Sequence, residues 1–125
     1  MMVHPVYSDN EIKSTAYTDV KARLVDRIKE YDGINFSVLY RIKVNLYPHT
    51  HTLKEHPTHR DHSHISKLQG AVYCLNTCDG YTGFEDGTKV DSIENRLILF
   101  DSLEPHFSTS TSNAQARINI NINYV

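Results

Sequence analysis

The residues best suited to chemistry crowd into one short stretch. Six of the eight histidines fall within residues 49–64: His49, His51, His56, His59, His62 and His64. Metal ligation needs a neutral imidazole nitrogen or a carboxylate oxygen, and the triplet His59-Arg60-Asp61 supplies both. In a strand, side chains at i and i+2 leave the same face, so His59 and Asp61 can grip one ion from one strand. A third ligand must then come from far along the chain, and His106, in Glu104-Pro105-His106-Phe107, is the best placed. Two histidines and one carboxylate on one side of a ferrous ion leave the other positions open for substrate and oxygen. A polar loop whose histidines sit in water would have the same composition, because a His-rich tract is only a compositional hint. His62 and His64 are expected to point opposite to His59, as surface or supporting groups.

The elements that must position these residues belong to a single small domain. At 125 residues, a chain buries roughly two-thirds of its unfolded surface, enough for one core. The formal net charge of −2 argues against nucleic acid or an anionic membrane, which call for a basic face. No apolar run approaches the roughly 20 residues of a membrane span, and the N-terminus lacks the apolar core of a signal peptide. Cys74 and Cys78 are the only cysteines. Their spacing excludes a four-cysteine zinc site, and they read as packed thiols rather than ligands. A reduced, cytoplasmic protein is expected.

Residues 1–15 read as a polar, irregular, flexible end, and residues 16–125 as the domain. From Ala16 to Tyr31 the pattern is helical, with Val20, Leu24, Ile28 and Tyr31 on one face. Asp32-Gly33 reads as a stop, with Gly33 suited to the left-handed residue after a helix. The period then switches to two. Over residues 41–47, Ile42, Val44 and Leu46 face one way, and Lys43, Asn45 and Tyr47 the other. Residues 117–124 repeat the device, with isoleucines on one face and Arg117, Asn119, Asn121 and Asn123 on the other. Strand-like apolar runs at Ala71–Leu75 and Arg96–Phe100 lie between them, and turns are expected at Asp79-Gly80, Asp86-Gly87 and Pro105. Many short strands with one early helix predict a mainly β sandwich or barrel with the helix packed outside.

Alternation alone favours polar faces that meet bulk solvent, as in any half-buried sheet. Arg117, at the head of one such face, raises the other reading, in which these faces line a wet cavity.

Taken together, five runs resemble a known family. They are His59-Arg60-Asp61, residues 70–76, residues 95–100, Pro105-His106 and Ala116-Arg117-Ile118-Asn119. The chain resembles the 2-oxoglutarate/Fe(II)-dependent oxygenases, in their prolyl-hydroxylase-like branch. It is most similar to small oxygenase-like proteins of tailed bacteriophages, through the strand Arg41–Pro48. The likeness covers about residues 38–125. The triplet alone is a weak signal; a His 45 residues beyond Asp61 and an Arg 11 residues beyond that His make a strong one. The resemblance implies a double-stranded β-helix, or jelly roll, with His59, Asp61 and His106 holding Fe(II). It implies that Arg117 and Tyr47 hold the distal carboxylate of 2-oxoglutarate. It also implies oxidative decarboxylation to succinate and CO2, with O2 as co-substrate and hydroxylation of a protein side chain or small molecule. The chain departs from the pattern at Cys74, where prolyl hydroxylases often carry a second Tyr, and at Asn119, often Ser or Thr there. The supporting N-terminal region is short.

Two other classes fit less of the sequence. In a non-catalytic metal-binding cupin, His49, His51 and Glu55 match half of the His-x-His-x3-Glu pattern, with His106 as a fourth ligand, but the flanking glycines are missing. A phage structural or interaction protein would keep the jelly roll without the chemistry. A nucleic-acid-demethylating oxygenase has a second Arg six residues after the first, where this chain has Asn123.

Overall fold

The computed structural model describes residues 1–61 and 65–125; the expectations for His62 and His64 lie outside the described residues. Among the described residues, nine strands follow the order β1 (Met2–Ser8), β2 (Glu11–Ile12), β3 (Leu39–Pro48), β4 (Gln69–Cys74), β5 (Tyr81–Phe84), β6 (Lys89–Asp91), β7 (Leu97–Asp101), β8 (His106–Ser108) and β9 (Ala116–Tyr124). A six-stranded sheet runs β2-β1-β3-β9-β4-β7, and a three-stranded sheet runs β6-β5-β8. Every pairing within them is antiparallel. Phe84 of the small sheet packs with Val72, Cys74 and Ile98 of the large one, which makes a jelly roll, as expected.

The long strands β3 and β9 form because their alternation matches the pleat, and their register sets the whole interior. Ile42 opposes Ile122, Val44 opposes Ile120 and Leu46 opposes Ile118. On the outer face of this sheet, Ile42, Ile120, Ile122 and Tyr124 form the main apolar core with Val6, Val20, Val25 and Ile28. The other face carries the cross-strand pairs Arg41–Asn123, Lys43–Asn121, Asn45–Asn119 and Tyr47–Arg117. This polar face does not meet bulk solvent, contrary to the reading that alternation alone favours. Asn45, Tyr47, Arg117, Asn119, Asn121 and Asn123 are all buried, because the small sheet, and at Asn123 the segments carrying Asp61 and Ser102, cover them.

The helix differs from the expected stripe for a local reason. Tyr17–Val20 (α1) and Asp26–Asp32 (α2) are joined by a π-helical turn over Lys21–Val25. That turn inserts an extra residue, so a spacing of five replaces four, and Val25 is buried after Val20. The phase shift turns Tyr31 out to 83 % exposure. Gly33 is not left-handed: its φ is −56°, and a 3-10 turn over Gly33–Asn35 continues the helix. Residues 1–15, expected to be irregular, contain β1, which adds to the β3 edge with Met2 opposite Leu46 and His4 opposite Val44. Among the described residues, no helix is long and apolar enough to cross a membrane.

Candidate metal and co-substrate site

His59 and His106 lie 47 positions apart in sequence and meet through the backbone. The His59 amide donates to the His106 carbonyl at 2.8 Å, and the His106 amide donates to the His59 carbonyl at 2.9 Å. The Asp61 amide donates to the Ser102 carbonyl at 3.0 Å, and Arg60 Nε donates to the Leu103 carbonyl at 2.9 Å. Four hydrogen bonds thus rivet residues 59–61 to the segment that carries His106. The expected same-face strand geometry is replaced by this bridge, with Asp61 in a bend.

The side chains converge. His59 Nε2 lies 3.5 Å from Asp61 Oδ1, and His106 Nε2 lies 3.6 Å from Asp61 Oδ2. One ligand atom from each of the three lies within 4.8 Å of the others, and no other such cluster occurs among the described residues. Two ligands at right angles, each about 2.1 Å from a metal, sit roughly 3 Å apart, so small closing movements suffice. Both imidazoles are aimed from behind: the Glu104 carbonyl lies 2.7 Å from His106 Nδ1, and the Pro57 carbonyl 3.3 Å from His59 Nδ1. A proton on Nδ1 donating to that carbonyl leaves the Nε2 lone pair for a metal.

Asp61 and His106 are buried, at 7 % and 6 % exposure. Burial alone would raise the Asp61 carboxyl. The close approach of His106 and then His59, with the charge of Arg41, outweighs burial and holds it well below the usual carboxylate range. His59, facing Asp61, is raised above its ordinary value. Asn123 braces the carboxylate: its Nδ2 reaches Asp61 Oδ2 at 3.4 Å and Ser102 Oγ at 2.9 Å. Its Oδ1 accepts from Arg41 at 2.9 and 3.2 Å.

A cavity of about 90 Å³ opens beside the triad, lined by the polar faces of β3 and β9 and by Thr82 and Ser108. On the same measure a single water needs only about 10–15 Å³. Behind Thr82 and Ser108 lies Arg117, at 0 % exposure. Its Nη1 donates to Ser108 Oγ and to the Thr109 carbonyl at 3.0 Å, and its Nη2 donates to Thr82 Oγ1 at 3.2 Å. Tyr47 stacks beneath it, its ring centroid 5.3 Å from the guanidinium carbon. Nε has no partner, and no carboxylate pairs with this cation among the described residues. Burial pushes the guanidinium below its ordinary value. A buried cation without a counter-charge is costly, and a carboxylate matches its planar fork.

Sequence reasoning missed Gly80 as part of this seat. A Cβ there would lie 2.6 Å from Arg117 Cδ and 2.7 Å from the Ser110 carbonyl, so the absent side chain makes room for the arginine. It also missed Asn123 as the brace of Asp61, although its place on the polar face of β9 was a signal. The alternative cupin set is dispersed. His49 lies near the Ser112 carbonyl at 3.0 Å, His51 is exposed, and Glu55 accepts from the Tyr81 hydroxyl. Cys74 and Cys78 are buried free thiols, with Cys74 packed against the inter-sheet apolar cluster.

No protein-family model matches the sequence, and no curated protein matches it. Solved structures do. A prolyl-4-hydroxylase of Pseudomonas putida superposes with a TM-score of 0.61 at 15% identity, over 98% of this chain and 67% of that one. A viral collagen prolyl hydroxylase of Paramecium bursaria chlorella virus-1 gives 0.62 at 11% identity, over 98% of this chain and 75% of that one. An RmlC-like cupin of Desulfovibrio desulfuricans gives 0.53 at 11% identity, over 70% of this chain and 74% of that one. At such identities the likeness shows the fold alone: a cupin-type double-stranded β-helix.

Proposed function

We propose that this chain is an Fe(II)- and 2-oxoglutarate-dependent oxygenase of the hydroxylase type, with His59, Asp61 and His106 as metal ligands and Arg117 and Tyr47 holding the co-substrate. The observation that carries this reading is Arg117: fully buried, unpaired with any carboxylate among the described residues, its Nε unsatisfied, and hydrogen-bonded to Thr82 and Ser108 in the wall of the cavity that the triad borders. A bound dicarboxylate would give that cation its counter-charge, which a bare metal site would not.

The residues present suit both groups. Two imidazoles and a carboxylate form the donor set favoured by non-haem Fe(II). The Arg117 fork, set among Thr82 and Ser108 hydroxyls, suits a carboxylate. When bound, the metal and co-substrate supply oxidative decarboxylation of 2-oxoglutarate to succinate and CO2 coupled to oxidation of a second substrate. The protein's part is orientation. The backbone bridge fixes both imidazoles, Asn123 fixes the carboxylate, and Gly80 and Tyr47 seat the arginine. The second substrate is a protein side chain or a small molecule. The resemblance of Arg41–Pro48 to tailed-phage oxygenase-like proteins supports action in the cytoplasm, that of the host for a phage protein.

The test is anaerobic titration with Fe(II), with and without 2-oxoglutarate, followed by absorption in the visible region. A charge-transfer band that needs both components is expected. Stoichiometric Fe(II) binding with no band and no 2-oxoglutarate affinity would leave a metal-binding cupin instead.

A further inference from the structure

The inner face of the large sheet carries a second cation that the proposed reading leaves unused. Lys43 lines the same cavity as the triad. It lies in register with Asn121, four pairs along the strands from Tyr47–Arg117 and on the same face. At about 3.4 Å per residue, four residues separate those rows by roughly 13 Å, so the two cations mark opposite ends of the polar face. The Lys43 ammonium has no hydrogen-bond or ion-pair partner among the described residues. Burial, then the neighbouring charge of Arg41, pushes it below its ordinary value, with Asp61 acting the other way. Asp61 is the only carboxylate among the described residues lining the cavity, and the proposed metal would more than neutralise it. Arg41 is held by the neutral Asn123 amide. Of the three side-chain cations on this sheet face among the described residues, Arg41, Lys43 and Arg117, only Lys43 lines the cavity, and a co-substrate seated on Arg117 leaves the Lys43 end uncompensated. Beside Lys43, Asn121 is buried with its Oδ1 unpartnered.

We propose that Lys43 and Asn121 form the primary-substrate subsite, and that this substrate is an anion whose carboxylate or phosphate rests on the Lys43 ammonium while a neighbouring N–H or O–H donates to Asn121 Oδ1. The inference rests on the proposed function for the word "substrate", but the anion site stands on the geometry alone. It excludes neutral, apolar targets and favours small acidic molecules.

The test uses the whole chain, loaded with Zn(II) and saturated with 2-oxoglutarate, so that the Arg117 end is filled. N-acetylglycine, methyl phosphate and the neutral N-acetylglycinamide are titrated separately and followed by amide and Lys Nζ resonances. At least one anion is expected to bind saturably and to shift the Lys43 signals, and which one does so distinguishes carboxylate from phosphate. Lys43→Met should weaken that binding about tenfold to a hundredfold, the usual range for a charged hydrogen bond. Lys43→Arg should keep it, which guards against a folding defect in the first variant. Equal binding of the neutral amide, or unchanged affinity in Lys43→Met, would overturn the proposal. So would loss of anion binding in Arg117→Met, measured on the metal-free chain without 2-oxoglutarate, since the anion would then sit at the other end. Failure of the wild-type chain to bind 2-oxoglutarate would sink the oxygenase reading by itself. The metal-free titrations would still decide the Lys43 site.

Discussion

Replacing Arg117 by methionine separates what the arginine does for the fold from what it does for a ligand. In the ligand-free chain the guanidinium is buried, with Nε unsatisfied and no counter-charge among the described residues. Relief of the buried charge offsets the loss of its hydrogen bonds to Ser108, Thr82 and the Thr109 carbonyl, so the ligand-free variant is expected to melt within a few degrees of the wild type. The co-substrate reverses the ranking. Losing charged hydrogen bonds at about 1.5–3 kcal/mol net weakens 2-oxoglutarate binding roughly tenfold to a hundredfold. At ten times the wild-type Kd, 2-oxoglutarate stabilises the wild type by about 1.4 kcal/mol, a rise of roughly 3–8 °C for a domain of this size. At that same concentration the variant gains at most about 0.4 kcal/mol, roughly 1–2 °C. The assay is thermal unfolding under nitrogen with Fe(II), with and without 2-oxoglutarate. Arg117→Lys should fall between the two, since it keeps the charge and loses the fork. Equal ligand-induced shifts in all three proteins would remove Arg117 from the site. A large drop in the ligand-free melting temperature of Arg117→Met would show that the arginine holds the fold instead.

The remaining expectations concern the metal, the seat and the core. His59→Ala, Asp61→Ala and His106→Ala should each abolish stoichiometric Fe(II) binding in anaerobic titration, while His49→Ala and His51→Ala keep it; the reverse pattern would hand the site to the cupin set. Gly80→Ala should cost roughly 1–3 kcal/mol of stability in denaturant unfolding and weaken 2-oxoglutarate with little effect on metal, because its Cβ would meet Arg117 Cδ at 2.6 Å; normal co-substrate affinity would show that Arg117 can shift without consequence. Cys74→Tyr should destabilise by a similar roughly 1–3 kcal/mol, since Cys74 is packed among Val72, Phe84 and Ile98; tighter 2-oxoglutarate binding in a stable variant would show instead that a tyrosine can reach the ligand there. Metal affinity should fall with acid, because a ligand histidine must be neutral. His59 is raised above its ordinary value by Asp61, so Fe(II) affinity should begin to weaken at a higher pH than for an unpaired imidazole as pH is lowered, and a Kd that Asp61→Asn shifts equally at all pH values would contradict the His59–Asp61 contact.

Local patterns were legible in the sequence, and their partners were not. The alternation in residues 41–47 and 117–124 foretold two strands with one polar face each, and β3 and β9 are those strands. It did not say that the polar faces would be roofed, because the roof is the small sheet, built from short strands with little periodicity: Tyr81–Phe84, Lys89–Asp91 and His106–Ser108. The spacing of His59 and Asp61 suggested a shared face along a strand. The approach of His106 depends instead on a backbone bridge across 47 positions, and no local signal encodes that. The helical stripe was readable until the π turn at Lys21–Val25 shifted its phase and exchanged Val25 for Tyr31. Strand β1 was missed because only Val6 of its seven residues is buried, so it carries almost no hydrophobic alternation.

The register of β3 against β9 also limits how relatives of this protein can differ in length. Side chains alternate faces with a period of two, so one residue inserted into either strand reverses every side chain beyond it. Between Arg41 and Tyr47, or Arg117 and Asn123, such an event would turn isoleucines into the cavity and set asparagines, a lysine or the arginine against the helix. Point changes there can be absorbed singly; insertions and deletions cannot. Descendants of one ancestral gene should therefore share a fixed count of residues through both strands, even where few identities survive. Their length differences should gather at the Asp86-Gly87 turn and in the stretch between Pro48 and His59.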